Sequence, residues 1–151
     1  MSKISVDQAT ELRKKVLWVW KKTLEIHLRA PETRLASSLS VIEIFVALYY
    51  GEILKFNASN PLDERRDRCI ISKGHGSICM YPILADLGFF PIEELDLFCK
   101  PGGILGGHPD ATKVPGVEAS TGALGHGLSI GVGMAIAARI NKKKNKIIVL
   151  V

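Results

Sequence analysis

Two short apolar runs constrain this chain most: Cys69-Ile70-Ile71, bounded by turn residues, and the aliphatic Ile147-Ile148-Val149-Leu150-Val151. Each suits a strand, and helical periods occupy the sequence before and between them. Strands alternating with helices predict an α/β fold, a mainly parallel open sheet with helices on both faces. In such sheets ligands bind outside the carboxyl ends of the strands.

The helical segments carry their own start and stop signals. Ser5 with Gln8 forms a capping-box pattern, and Leu17, Trp20, Leu24 and Leu28 recur at helical spacing until Pro31. Ser40 with Glu43 predicts a second capping box, opening a helix with Val41, Ile44, Phe45 and Leu48 on its apolar face and Gly51 at C′. Ser77 to Leu87 reads as a helix capped by Gly88, with a kink or early break at Pro82, and Pro91 ahead of Glu93 and Glu94 starts another short one. Residues 101–127 are rich in glycine and proline, a long irregular loop of the kind that often carries function. Leu128 to Ile140 is a helix of small residues, and glycines 127, 131 and 133 are expected to serve close helix packing. At 151 residues and 47% hydrophobic, one domain is expected over 1–151, with 1–38 as N-terminal helix and linker and 39–151 bearing the motifs.

The net charge of +5 is spread over separate clusters. Arg13-Lys14-Lys15 and Lys21-Lys22 are expected on the outer face of the first helix, and Lys142-Lys143-Lys144 precedes a strand, so no nucleic-acid partner is expected. Cys69, Cys79 and Cys99 are odd in number and far apart, which suits buried free thiols rather than a disulfide framework or a CxxC metal site. The first residues lack the apolar core of a signal peptide, and the apolar run 128–138 is about half of the roughly 20 residues a membrane span needs. A soluble cytoplasmic protein without a membrane partner is the expectation.

Three of the four histidines lie beside glycine: Gly74-His75-Gly76, Gly107-His108-Pro109 and Gly125-His126-Gly127. Glycines on both sides of His75, after a strand, allow a backbone or a phosphate to approach, and the imidazole can donate to a phosphate oxygen. The alternative is a glycine turn with a surface histidine. In Gly106-Gly107-His108-Pro109-Asp110 the proline fixes the backbone beside an imidazole suited to bonding a substrate hydroxyl or moving a proton, and a plain turn is the competing reading. Ser120-Thr121-Gly122-Ala123-Leu124-Gly125 has the look of a phosphate cradle without the lysine of a P-loop.

Taken in order, these blocks resemble the N-terminal, thiamine diphosphate-binding domain of the transketolases. The resemblance runs from about Leu39 onward, through Arg65-Arg66-Asp67-Arg68 leading into SKGHGS, Leu87-Gly88-Phe89-Phe90, GGHPD, and PGVEASTGALGHGLSIGVGMA. It implies that His75 contacts the cofactor diphosphate and that His108 meets substrate near the reacting carbon, both as members of the catalytic site. It also implies that Gly122, Leu124 and Gly125 lie along the cofactor. Arg34 stands where the family usually carries another substrate-facing histidine, which implies a substrate role suited to a phosphate, carboxylate or sulfonate; pairing with Glu32 is the other reading. His126 stands where many relatives have glutamine.

No metal ligand is expected within 1–151. The Mg2+ that holds the diphosphate is implied to bind a Gly-Asp-Gly segment that would follow the Ile147–Val151 strand. The resemblance further implies transfer of a two-carbon ketol unit between sugar or sugar-phosphate substrates. A C-terminal transketolase section, or a continuation of the same chain, would complete the site in a homodimer or heterotetramer. Two alternatives stay open from the sequence: a non-catalytic fragment or assembly module, and a sugar-phosphate- or nucleotide-binding protein without thiamine.

Overall fold

The computed structural model describes residues 5–151; residues 1–4, on which the signal-peptide and domain readings partly fall, lie outside them. Helix α1 spans Val6–Arg29 and opens as the sequence predicts. Gln8 N donates to Ser5 Oγ at 3.1 Å, and Ser5 N donates to Gln8 Oε1 at 3.0 Å. Of the predicted stripe of α1 Trp20 packs against the core, but the fully buried positions are others. Val19, Thr23 and Ile26 are fully covered, whereas Leu17 and Leu28 are 69% and 80% exposed. Thr23 can occupy the core because its hydroxyl donates to Val19 O at 2.8 Å, leaving no unmet polar group. Counting only large apolar residues therefore selects the wrong face. Lys15 also departs from the expected outer face: it pairs with Asp86 at 2.8 Å and lies over the rings of Trp18 and Tyr50.

The predicted capping box at Ser40 is absent. Ser40 ends α2 (Leu35–Leu39), where its Oγ donates to Ser37 O and accepts from Lys73 Nζ at 2.7 Å. Helix α3 (Ile42–Tyr50) starts at Val41 with no side-chain cap. It buries Ile42, Phe45, Val46, Leu48 and Tyr49, while Ile44 is exposed. Gly51 is the C-cap residue at φ −89°, and the left-handed position falls on Glu52.

Strand β1 (Arg68–Ile71) pairs in parallel with β2 (Ile147–Leu150), Cys69 opposite Ile148 and Ile71 opposite Leu150. The pleat sends Cys69, Ile71, Ile148 and Leu150 toward the main core. On the other face Ile70, Ile147 and Val149 lie beneath Gly131 of α5 (His126–Ile140). A Cβ at Gly131 would lie 2.4 Å from Val149 Cγ2 and one at Gly127 2.6 Å from Ser72, whereas Gly133 faces open space. Two of the three glycines thus serve close packing. The outer face of α5 is uncovered, with Leu128, Val132, Ile136 and Ile140 each more than half exposed.

After β1 the chain forms a 3-10 turn, Gly74–Cys79, and only then α4, Met80–Asp86. Pro82 sits in the first turn of α4, where its missing N–H breaks no internal bond, so the helix starts late and is not kinked there. Gly88 takes the predicted left-handed conformation at φ +84°. Pro91 precedes, rather than opens, a short 3-10 segment at Ile92–Leu97. Cys69 and Cys79 are buried, and burial pushes both thiols up to about 12. Cys99 is exposed, against expectation.

The Arg65–Arg68 block is a structural knot. Backbone N–H groups of Lys55 and Lys146 donate to the Asp67 carboxylate at 2.9 and 2.7 Å, joining the approaches to both strands. Arg66 forks onto Glu118 through Nε and Nη2 at 2.8 and 2.9 Å, and Arg68 Nη1 adds a 2.6 Å bond. The side chains of Arg66 and Glu118 are only 9% and 6% exposed, so removing one charge strands the other. Glu118→Ala should cost about 3–5 kcal/mol, read as a lower urea midpoint at unchanged slope. A loss below about 1 kcal/mol, the level of a surface pair, would contradict this role.

Candidate functional site

The site is built where the turn after β1 meets the long loop. Thr121 Oγ1 donates to Ile71 O at 2.6 Å, pinning the loop to the last residue of the strand. The backbone then passes so close to the turn that a Cβ at Gly74 would lie 2.4 Å from Thr121 O. On the opposite side a Cβ at Gly76 would lie 2.9 Å from Ser37 O in α2. The two glycines around His75 are thus required by neighbouring backbone on either side, and His75 between them is half-buried.

His108 arrives from the other end of the loop. Its ring stands edge-on to His75, centroids 4.5 Å apart at 78°, and it lies beside Gly122, where a Cβ would be 3.1 Å from His108 Cδ2. Tyr81 Oη donates to Gly106 O at 2.8 Å, and Thr121 N donates to Pro109 O at 3.4 Å, holding the chain on both sides of the imidazole. The loss of hydration, and then the nearby charge of His75, lower the pKa of His108 below the ordinary histidine value.

The predicted residues converge in part. His75, Arg34 and Leu124 line one open groove of about 710 Å³, with Thr33, Ser37 and Lys73. His108 and Gly122 join it through the ring contacts with His75 and with each other. Leu124 is 72% exposed, and Gly125, at φ +87°, is the cap residue of α5. Arg34 makes no ion pair among the described residues, so the pairing with Glu32 is not formed. His126 is exposed at the first turn of α5. No group of three or more His, Cys, Asp or Glu side chains among the described residues is placed to hold a metal ion.

Sequence reasoning missed Lys73 and Thr121. Lys73 directly precedes Gly74, and Thr121 directly precedes Gly122. Their signal was adjacency to residues already singled out. The geometry was not readable, because Thr121 acts across 50 residues on a backbone carbonyl.

Residues 30–147 match the model of the family described as transketolase, thiamine diphosphate binding domain. The chain belongs to this family. Among transketolase relatives it is 42% identical over 130 residues to a subunit of the apulose-4-phosphate transketolase of Phocaeicola vulgatus, covering 86% of the chain and 46% of that protein. It is 37% identical over 145 residues to the 6-deoxy-6-sulfo-D-fructose transketolase subunit SqwG of a Clostridium species, covering 96% of the chain and 52% of that protein. The chain therefore spans about half the length of these curated relatives. The solved transketolase of Campylobacter jejuni superposes with a TM-score of 0.80 at 30% identity, covering 87% of the chain and 20% of that structure. The fold is thus that of the transketolase diphosphate-binding domain, represented in part.

The histidine pair has a titration signature. Because the folded chain resists protonating His108, lowering the pH through the unfolded histidine range, about 6.5, protonates the unfolded state first and withdraws stability. By NMR the His108 midpoint should fall below that value, and His75→Ala should move it partway back, since burial persists. An unmoved midpoint in the variant would show that the two rings are not electrostatically coupled.

Proposed function

We propose that this chain is the N-terminal part of a thiamine diphosphate-dependent transketolase-like enzyme that transfers a two-carbon ketol unit between sugar or sugar-phosphate substrates. The observation that carries the reading is the edge-on contact of His75 and His108 beside Gly122, at the carboxyl end of β1. Family membership supports the same conclusion. A C-terminal transketolase section, in a second polypeptide or in the same one, completes the site in this proposal, as a homodimer or heterotetramer in the cytoplasm. Residues 1–151 are proposed to form one diphosphate-binding unit. Among the described residues no helix is long and apolar enough to cross a membrane.

The residues present suit the cofactor. An imidazole, two basic side chains and hydroxyl residues line the groove, a donor set matched to an anionic diphosphate. His75 would donate to a diphosphate oxygen, and Gly122, Leu124 and Gly125 would lie along the rest of the molecule. The cofactor supplies the electron sink for carbon–carbon bond cleavage. His108, whose lowered pKa favours the neutral imidazole, can hydrogen-bond a substrate hydroxyl and take up its proton. Arg34 reaches the substrate from the groove's α2 side. Mg2+ belongs to the same proposal, on the charge of the diphosphate, with its ligands after the β2 strand.

Two variants separate binding from turnover in the chain assembled with its C-terminal section. With Mg2+ present, His75→Ala should weaken thiamine diphosphate binding about 10- to 100-fold by calorimetry, the scale of one charge-assisted hydrogen bond. His108→Ala should lower turnover of a ketose donor by about 100-fold or more while leaving cofactor affinity nearly unchanged. Unaltered affinity in the first variant, or normal turnover in the second, removes the assigned role.

A further inference from the structure

The basic clusters are separate in the sequence, but the fold gathers some of them at the end of the sheet away from the histidine pair. Before the first residues of β1 and β2, Lys55, Arg65, Lys142, Lys143, Lys144 and Lys146 line one cavity of about 380 Å³. Glu64 and Asp67 are its only acidic lining residues, and no apolar or aromatic side chain takes part. Half of the cations are engaged: Lys143 pairs with Glu64 at 2.6 Å, Lys146 lies 3.9 Å from Asp67, and Arg65 forks onto Asp63 outside the lining. Lys55, Lys142 and Lys144 make no ion pair among the described residues.

The backbone holds these charges together. One carboxylate, Asp67, accepts from the N–H groups of Lys55 and Lys146 and so ties two of the segments to the start of β1. The third segment is set by the end of α5, where Lys142 N donates to Arg139 O at 3.1 Å and Lys143 N donates to Ala138 O at 2.9 Å. These are the paired bonds of a Schellman helix end. Its left-handed position falls on Lys142, at φ +54°. Glycine takes that conformation at least cost, and a lysine there is strained. The helix dipole does not call for it, because Arg139 already stands in the last turn. The chain gives up stability at a position that carries one of the three unpaired charges.

We infer that this cavity is a binding site for a compact polyphosphate anion, either free polyphosphate or the phosphate chain of a nucleoside triphosphate. Ammonium groups are compact donors suited to densely charged oxygens, and an entering anion relieves the mutual repulsion of the unpaired lysines. Nothing in the lining offers a face on which a base could stack, so the phosphates carry the recognition. An acidic peptide spaces its charges along an extended chain at about 3.3 Å per residue or more, too sparsely to meet the cations of one small cavity. The site uses none of the residues of the histidine groove and does not depend on thiamine.

The test uses the whole 151-residue chain, labelled with 15N, with inorganic tripolyphosphate as the probe. It is run at about 0.15 M salt, where exposed charges are screened beyond roughly 8 Å. Tripolyphosphate should shift the amide signals of residues 55, 65 and 142–146. Lys55→Gln and Lys144→Gln should each weaken binding about fivefold, and both combined with Lys142→Gln about 100-fold, whereas Lys21→Gln on α1 has no effect. All of these residues are exposed, so the substitutions leave the core intact. Lys142→Gly separates charge from fold: it should raise the thermal midpoint by about 2–4 °C and still weaken binding about fivefold. ATP that competes extends the ligand to nucleoside triphosphates, and ATP that does not compete restricts it to free polyphosphate; either result keeps the site. Tighter binding of hexaglutamate or of a single-stranded oligonucleotide would assign the cavity to another partner and overturn the inference. So would the absence of shifts at that salt, shifts confined to residues 33–37 and 73–76, or a Lys142→Gly chain that gains stability and binds as the parent does.

Discussion

A strand ends by leaving carbonyls without partners, and what satisfies the last of them decides what sits beside it. Here the carbonyl of Ile71 accepts from the Thr121 hydroxyl at 2.6 Å. That bond fixes a flexible glycine-rich loop against the turn carrying His75, and everything at the site follows from it. Gly74 must be glycine because Thr121 O occupies the space of its side chain, and Gly122 is thereby placed against the ring of His108. Without the anchor, the two imidazoles would belong to separate surface segments joined only through the chain. With it, they stand 4.5 Å apart.

The supporting layer is ionic and lies on the approach to the same strand. Glu118, just before the loop reaches Thr121, accepts from both Arg66 and Arg68, while each oxygen of the Asp67 carboxylate accepts from one backbone N–H, at the starts of two segments. Burial alone pushes the Glu118 carboxyl up, and the Arg66 guanidinium pulls it back. A carboxylate accepting from two guanidiniums has the partners that burial of its charge requires. The arginine-rich block resembles a basic surface when written out, yet it is the buckle that holds the loop to the sheet.

Much of this was legible in the residues, and the misses have physical causes. The two strand segments, the α1 capping box, the left-handed Gly88 and the histidine turn follow local rules of backbone chemistry, so they were readable. The α1 face was misread because a threonine that bonds its own helix packs like an apolar residue. Ser40 carries the pattern of an N-cap, but its hydroxyl is engaged with Ser37 and Lys73, and the lysine partner lies 33 residues away. Cys99 was expected inside because thiols favour the interior, but its backbone stands in the left-handed region of an exposed turn. Arg34 and His75 were each legible, but their shared groove with Lys73 depends on how closely α2 rests on the turn, a tertiary distance no spacing rule contains.

The contact between Gly131 and Val149 has a consequence for how this part of the chain can change over time. A single added methyl at position 131 would fall 2.4 Å from the valine, so volume there and at 149 is drawn from one shared space. An enlargement on the helix is tolerated only alongside a trimming on the strand. Sequence drift across this layer therefore advances in paired steps, and the two positions should vary together rather than independently.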